Sequence, residues 1–180
     1  MGHLRPFFRA KMTMKLTLRQ MTFCGILAAL YVVLTITPPL NQLSYNAIQF
    51  RVSEALCIMP FFAPWTTWGL TIGCLIANIF STVTALDMVI GTLATLIGCL
   101  LTSKIKIRWL APLPTILSNF LLVGGMLAFV LDEGYPLWKA FLIYGGQVVL
   151  GETAVLYLLG IPLLLLLQKT KLDKHLTLIR

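Results

Sequence analysis

Between Met21 and Thr37 no residue carries a charge, and apolar runs with few or no charges recur as far as Gln168. That feature limits the fold more than any motif does. A helix needs roughly 20 consecutive apolar residues to cross the hydrocarbon core of a bilayer. A soluble domain needs about a quarter of its residues charged, and here 11% are charged against 58% hydrophobic. Too few charges exist to clothe a water-facing surface, so lipid must replace water over most of it. The expected fold class is an all-α integral membrane protein.

Six transmembrane helices are predicted. The first runs from about Met21 to Thr37 and stops at Pro38-Pro39; the second, from about Ile48 to Phe62, is short and stops near Pro60 and Pro64. The third covers about Trp65 to Thr84, the fourth Asp87 to Ser103, and the fifth follows "APLP" to Leu131. The sixth, from about Ala140 to Gln168, is long enough to tilt or to bend near Gly145-Gly146, Gly151 or Gly160-Ile161-Pro162. At its length the second span is marginal by itself and is expected inside the bundle, where a short or irregular element is tolerated. The organisation is a single membrane domain, 21–168, between a basic N-terminal tail, 1–20, and a basic C-terminal tail, 169–180.

Charge sets the expected orientation. Arg5, Arg9, Lys11, Lys15 and Arg19 precede the first span, Lys104, Lys106 and Arg108 separate the fourth from the fifth, and Lys169, Lys171, Lys174 and Arg180 follow the sixth. Six spans bring all three clusters to one side, which the positive-inside rule makes cytoplasmic, with both termini there. The other side holds Lys139 with Asp132 and Glu133. The net charge of +8 therefore reads as membrane orientation, not as nucleic-acid binding. No small-x-small cleavage site closes the first apolar run before "TPPLNQ", so that run is read as an uncleaved span.

Small residues mark close helix contacts. Gly25 and Ala29 in "GILAA" form a small-xxx-small pair, and Gly91, Thr95 and Gly98 in "GTLATLIG" are spaced similarly. Most such pairs serve packing within a bundle.

Charges inside a membrane ask for a partner or a function, because each costs about 2.5–3.5 kcal/mol at mid-bilayer. Arg51 and Glu54 in "IQFRVSEAL", Asp87 and Glu152 are the ones at issue, with Asn78, Asn119 and Gln147 as uncharged companions. On a helix Arg51 and Glu54 share a face and pair, either as a structural ion pair or as a functional one. Asp87 reads either as part of a site or as a helix N-terminal residue favoured by the macrodipole. Glu152 has no basic residue within two turns, and its face carries Tyr144, Gln147, Val148 and Gly151; it is either a ligand acceptor or a protonated acid bonded to a neighbouring helix.

The surplus of these interior charges is negative. Their ligand should offer N–H donors or a positive charge, since a carboxylate accepts two parallel N–H bonds well. A guanine-like edge presents that fork, while its acceptors suit Arg51, Asn78 or Gln147. Trp65, Trp68, Tyr45, Phe50 and Tyr144 are candidates to stack on a flat ring. There is no GxxxxGK[ST], so no intrinsic ATPase is expected, and no HExxH or CxxC. With His3 and His175 both in the tails, no metal site is expected. Cys24, Cys57, Cys74 and Cys99 each sit inside an apolar run and read as small buried hydrophobes.

"IQFRVSEAL", then "GLTIGCLIAN", "DMVIGTLATL" and a "GE" within the last span resemble, in that order, the QueT family. The resemblance implies a substrate-binding S-component of an energy-coupling factor (ECF) transporter: a six-helix bundle in the bacterial plasma membrane that binds a queuosine precursor, a 7-deazaguanine derivative, from outside. It implies no cofactor of its own, because a membrane coupling protein and two cytoplasmic ATPases supply the ATP step. It places Gly25 and Ala29 at the docking contact with the coupling protein, with glycine where alanine is more usual. It makes Arg51, Glu54, Asn78, Asp87, Gln147 and Glu152 the expected substrate-binding set, with Glu54 as ligand acceptor tuned by Arg51 and "TPPLNQLSYN" as an outer gate. Two other classes stay open: a stand-alone proton-coupled carrier using Glu152 and Asp87, and a small intramembrane enzyme.

Overall fold

The structure, a computed structural model, describes residues 16–38, 50–80, 85–131, 134–173, 176 and 179. The tail basics before Leu16, most of the gate loop, Asp132, Glu133, Lys174 and Arg180 lie outside the described residues. Among those described there are six α-helices and no strand: α1 Leu18–Ile36, α2 Thr66–Asn78, α3 Ala85–Thr102, α4 Leu113–Val130, α5 Leu137–Val155 and α6 Ile161–Lys169. A 3-10 helix, Val52–Phe61, stands between α1 and α2, and a π turn, Leu156–Gly160, joins α5 to α6.

Local chemistry explains the ends. Thr17 and Gln20 close a reciprocal capping box at the start of α1, each side chain bonded to the other's backbone N–H. Thr37, before Pro38, is extended, the conformation a following proline imposes. Pro114 lies in the first turn of α4, where its missing N–H costs nothing.

Three helical stretches are long and apolar enough to cross a membrane: Leu18–Ile36, Arg108–Val130 and Leu137–Lys169. The last is α5, the π turn and α6 read as one 33-residue helix, about 50 Å at 1.5 Å per residue. The π turn occupies the region where the sequence predicted a bend, and such one-turn bulges are where long helices deviate from straightness.

The second predicted span is a 3-10 helix and not an α-helix. It runs antiparallel to α1, from Ser53 beside Thr35 and Glu54 beside Tyr31 to Trp65 beside Cys24, so that α2 starts back along α1 and packs parallel to it. Its ten residues form a 3-10 helix only about 20 Å long at ~2.0 Å per residue. Pro60 lies inside it and cannot donate a backbone bond, which works against a regular α-helix. Every residue from Ser53 to Phe61 is buried. The segment touches α1, α2, α3, α5, the π turn and α6. Helices α1 to α5 pack in chain order, each on the next, and the 3-10 segment that lies between α1 and α2 in the chain packs against α1, α2, α3 and α5. Irregular backbone at this depth is tolerable because protein surrounds it.

The bundle is inside-out relative to a soluble protein. Leu18, Ile26, Phe129, Leu150 and Leu158 are largely exposed, whereas Arg51, Glu54, Asp87 and Glu152 are buried. Glycine permits the closest approach. A Cβ on Gly73 would lie 2.8 Å from Tyr31 Cβ and 2.9 Å from the Ala28 carbonyl oxygen, and one on Gly69 would lie 2.7 Å from the Cys24 carbonyl oxygen. The spacing Gly69-xxx-Gly73 in "GLTIG" is thus the close-packing motif between α1 and α2. Gly91 and Gly98 pack α3 onto Asn78 of α2 and Thr115 of α4, as predicted for packing pairs.

Candidate functional site

Arg51 caps the 3-10 helix in an extended conformation, outside the helix itself. The expected pairing with Glu54 requires both residues in one helix; with Arg51 outside it, the ion pair forms with Asp87 instead. Its Nη2 donates to Asp87 Oδ2 at 2.9 Å, with Arg51 5% and Asp87 0% exposed. Asp87 is in the first turn of α3, but it is a buried partner of Arg51 and not an interfacial helix start. Asn78, at the end of α2, donates to the Asp87 carbonyl at 3.1 Å.

Glu54 is held from two other directions. Tyr31 of α1, fully buried, donates its hydroxyl to Glu54 Oε1. The Cys57 thiol donates to Glu54 Oε2 at 3.1 Å. One turn on from Tyr31, Thr35 donates to Ser53 at 2.7 Å. Helix α1 therefore grips the 3-10 segment by hydroxyl groups on its buried side. The cysteines remain free and buried as predicted, yet two of them do more than fill space. Cys74 accepts from Asn78 at 3.4 Å and from Thr95 at 3.2 Å.

Glu152 is a buried residue of α5, a helix that touches the 3-10 segment. Asn119 of α4 donates to its Oε1 at 2.9 Å, while its Oε2 has no hydrogen-bond partner among the described residues. Glu152 is within electrostatic reach of both Glu54 and Arg51. The approach of Gly160 to Ala55, 3.5 Å from a Cβ at Gly160 to the Ala55 carbonyl oxygen, ties the π turn to the 3-10 segment. Gln147 is half-buried, and its Oε1 has no partner among the described residues; the same is true of Asn78 Oδ1.

The arrangement brings Arg51, Asp87 and Asn78 into one bonded group, with Glu54 beside it and Glu152 facing it electrostatically. Gln147 is not bonded to the others. Tyr31, Thr35 and Cys57 were not anticipated, although Tyr31 stands in the buried stripe Cys24–Leu27–Tyr31–Thr35 of α1 and Cys57 is three residues from Glu54. Trp65 is a core residue that meets Phe23 edge-on at 5.4 Å. Tyr45 lies outside the described residues. A separate cavity of about 530 Å³, lined by Gly125, Ala128, Phe129, Leu137, Trp138, Phe141 and Leu142, contains none of these polar groups.

A bundle whose polar side chains converge inward under an apolar exterior is what a membrane carrier of a polar solute requires. The sequence model described as "QueT transporter" matches residues 21–169. The chain belongs to the QueT transporter family. It is 38% identical over 142 residues to the queuosine precursor transporter QueT of Lactococcus lactis subsp. cremoris, covering 74% of this chain and 83% of that relative. No solved structure matches the chain. Within this QueT chain, all the charged residues at issue, from Arg51 to Glu152, fall inside the matched region.

Proposed function

We propose that this QueT chain is the substrate-binding S-component of an ECF importer, takes up a 7-deazaguanine precursor of queuosine, and borrows its ATPases from a partner module. In this reading the chain lies in the bacterial plasma membrane with six spans and both termini cytoplasmic. The observation that carries the reading is the two-sidedness of α1. Its buried side holds the charged segment through Tyr31 and Thr35. Its other side exposes Gly25 and Ala29, and a Cβ at Gly25 would meet nothing within 4 Å among the described residues. The pair is therefore not used for packing inside the bundle, which leaves it for another helix, the coupling protein. The substrate class rests on the family, on the relative's name, and on a buried site with an excess of carboxylates that suits a base rich in N–H donors.

In the site, Arg51, Asp87 and Asn78 form a fixed frame, with Glu54, Gln147 and Glu152 as the acceptors around the ligand. The test separates binding from transport. The purified chain alone should bind a deazaguanine one-to-one, and guanine and thiamine more weakly. Uptake should require the coupling protein and both ATPases. Gly25→Leu, which has room for its side chain, should keep binding and lose uptake. Uptake by proteoliposomes containing only this chain would overturn the S-component reading in favour of a stand-alone carrier.

A further inference from the structure

We propose that Glu152, aimed by Asn119, is the residue that reads a positive charge on the ligand: it accepts from a protonated amine. This rests on the substrate reading above and assigns one role within it.

The buried charged side chains among the described residues are Arg51, Glu54, Asp87 and Glu152. One is positive and three are negative, and the other described lysines and arginines are exposed. Arg51 is paired with Asp87, which leaves two carboxylates. They are not equivalent. Both oxygens of Glu54 are engaged, one by Tyr31 and one by Cys57. Glu152 has one oxygen on the Asn119 amide and one, Oε2, without a partner among the described residues, on a side chain 6% exposed.

A buried carboxylate oxygen without a donor is costly, and it is the position where a ligand donor gains most. The identity of residue 119 matters here. An amide orients the carboxylate through Oε1 but brings no charge, so the charge is left for the ligand to meet. A lysine or arginine there would have neutralised it. A protonated amine supplies both the donor and the positive charge, and so forms a charge-assisted bond. A nitrile at the same ring position supplies neither. The site should therefore prefer an aminomethyl-substituted 7-deazaguanine over its cyano counterpart, a pair that differ at one substituent and share the ring edge.

The experiment is calorimetric titration of the full chain in detergent with each of these two compounds, for wild type, Glu152→Gln and Asn119→Ala. Wild type should prefer the amine. Glu152→Gln should weaken the amine by about 10- to 100-fold, the size of a charge-assisted bond, and leave the cyano compound little changed. Asn119→Ala should reduce the preference without abolishing binding of the cyano compound. Where Glu152→Gln does not fold, Glu152→Asp is the second variant: it keeps the charge, withdraws it by one methylene, and should weaken the amine more than the nitrile. Equal binding of the two compounds by wild type overturns this inference alone. So does an equal loss for both in the Glu152 variants, which would mean contact with the shared ring or a purely structural role. Binding of neither compound by folded wild type overturns the substrate reading, and this inference with it.

Discussion

At the scale of single residues, the Arg51–Asp87 pair has the clearest energetic signature. Its members come from the 3-10 segment and α3, and both are buried. Two buried charges give up their hydration, and their mutual attraction repays much of it only while both are present. Arg51→Met should therefore destabilise the bundle by about 3–5 kcal/mol, and Asp87→Leu by a similar amount, because each leaves an uncompensated buried charge. The double variant should lie closer to wild type than either single one, read as detergent-unfolding midpoints in a double-mutant cycle. Tyr31→Phe removes one donor from Glu54 and keeps the ring volume. It should cost about 1–3 kcal/mol in the same assay, the penalty for an acceptor left unsatisfied. The sequence made Arg51, Glu54, Asp87 and Glu152 conspicuous because charge is rare in an apolar chain. It did not reveal their partners. Arg51 and Glu54 are neighbours in sequence, but Arg51 lies outside the helix and the nearest carboxylate in space comes from 36 residues away.

At the scale of elements, the contrast between Gly73 and Gly25 separates two uses of small residues. Both look alike in sequence, each the small member of an i, i+4 pair. In the structure Gly73 is pressed onto Tyr31 and Ala28, while Gly25 opens outward. Gly73→Leu should wedge α1 from α2 and destabilise the protein by about 1–3 kcal/mol or more, the range for overpacking; Gly25→Leu should be near neutral by thermal unfolding. An equal loss in both would remove the outward face of α1 as a docking surface. The 3-10 segment is the element least legible in the sequence. Its apolar residues and its length suggested a marginal span, and Pro60 and Pro64 marked its end. Only its contacts show it to be a buried 3-10 segment that runs back along α1 and is packed by α2, α3, α5 and α6. A 3-10 run of ten residues is unusual, since runs beyond three or four are uncommon, and packing on all sides is what sustains it.

At the scale of the whole molecule, the topology is tested by labelling. The four native cysteines are buried, so a single added thiol reports its own position. Lys106→Cys should react with a membrane-impermeant maleimide only after cells are opened, and Tyr135→Cys in intact cells, if the loop between α3 and α4 is cytoplasmic and the turn before α5 is outside. Reversed labelling would invert the bundle. The membrane class, the positions of the long helices and the kind of residue in the site were all determined by the sequence itself, because they follow from composition and from breaks at proline and charge that act locally. Tertiary structure alone decided the rest: that Arg51 pairs with Asp87, that Tyr31 and Cys57 hold Glu54, that Glu152 keeps one oxygen unbonded among the described residues, and that Gly25 faces out while Gly73 faces in. Except for the Cys57–Glu54 bond, made three residues apart, each is a contact, or the lack of one, between segments far apart in the chain. Helical periodicity says which residues share a face, but only packing says what that face meets.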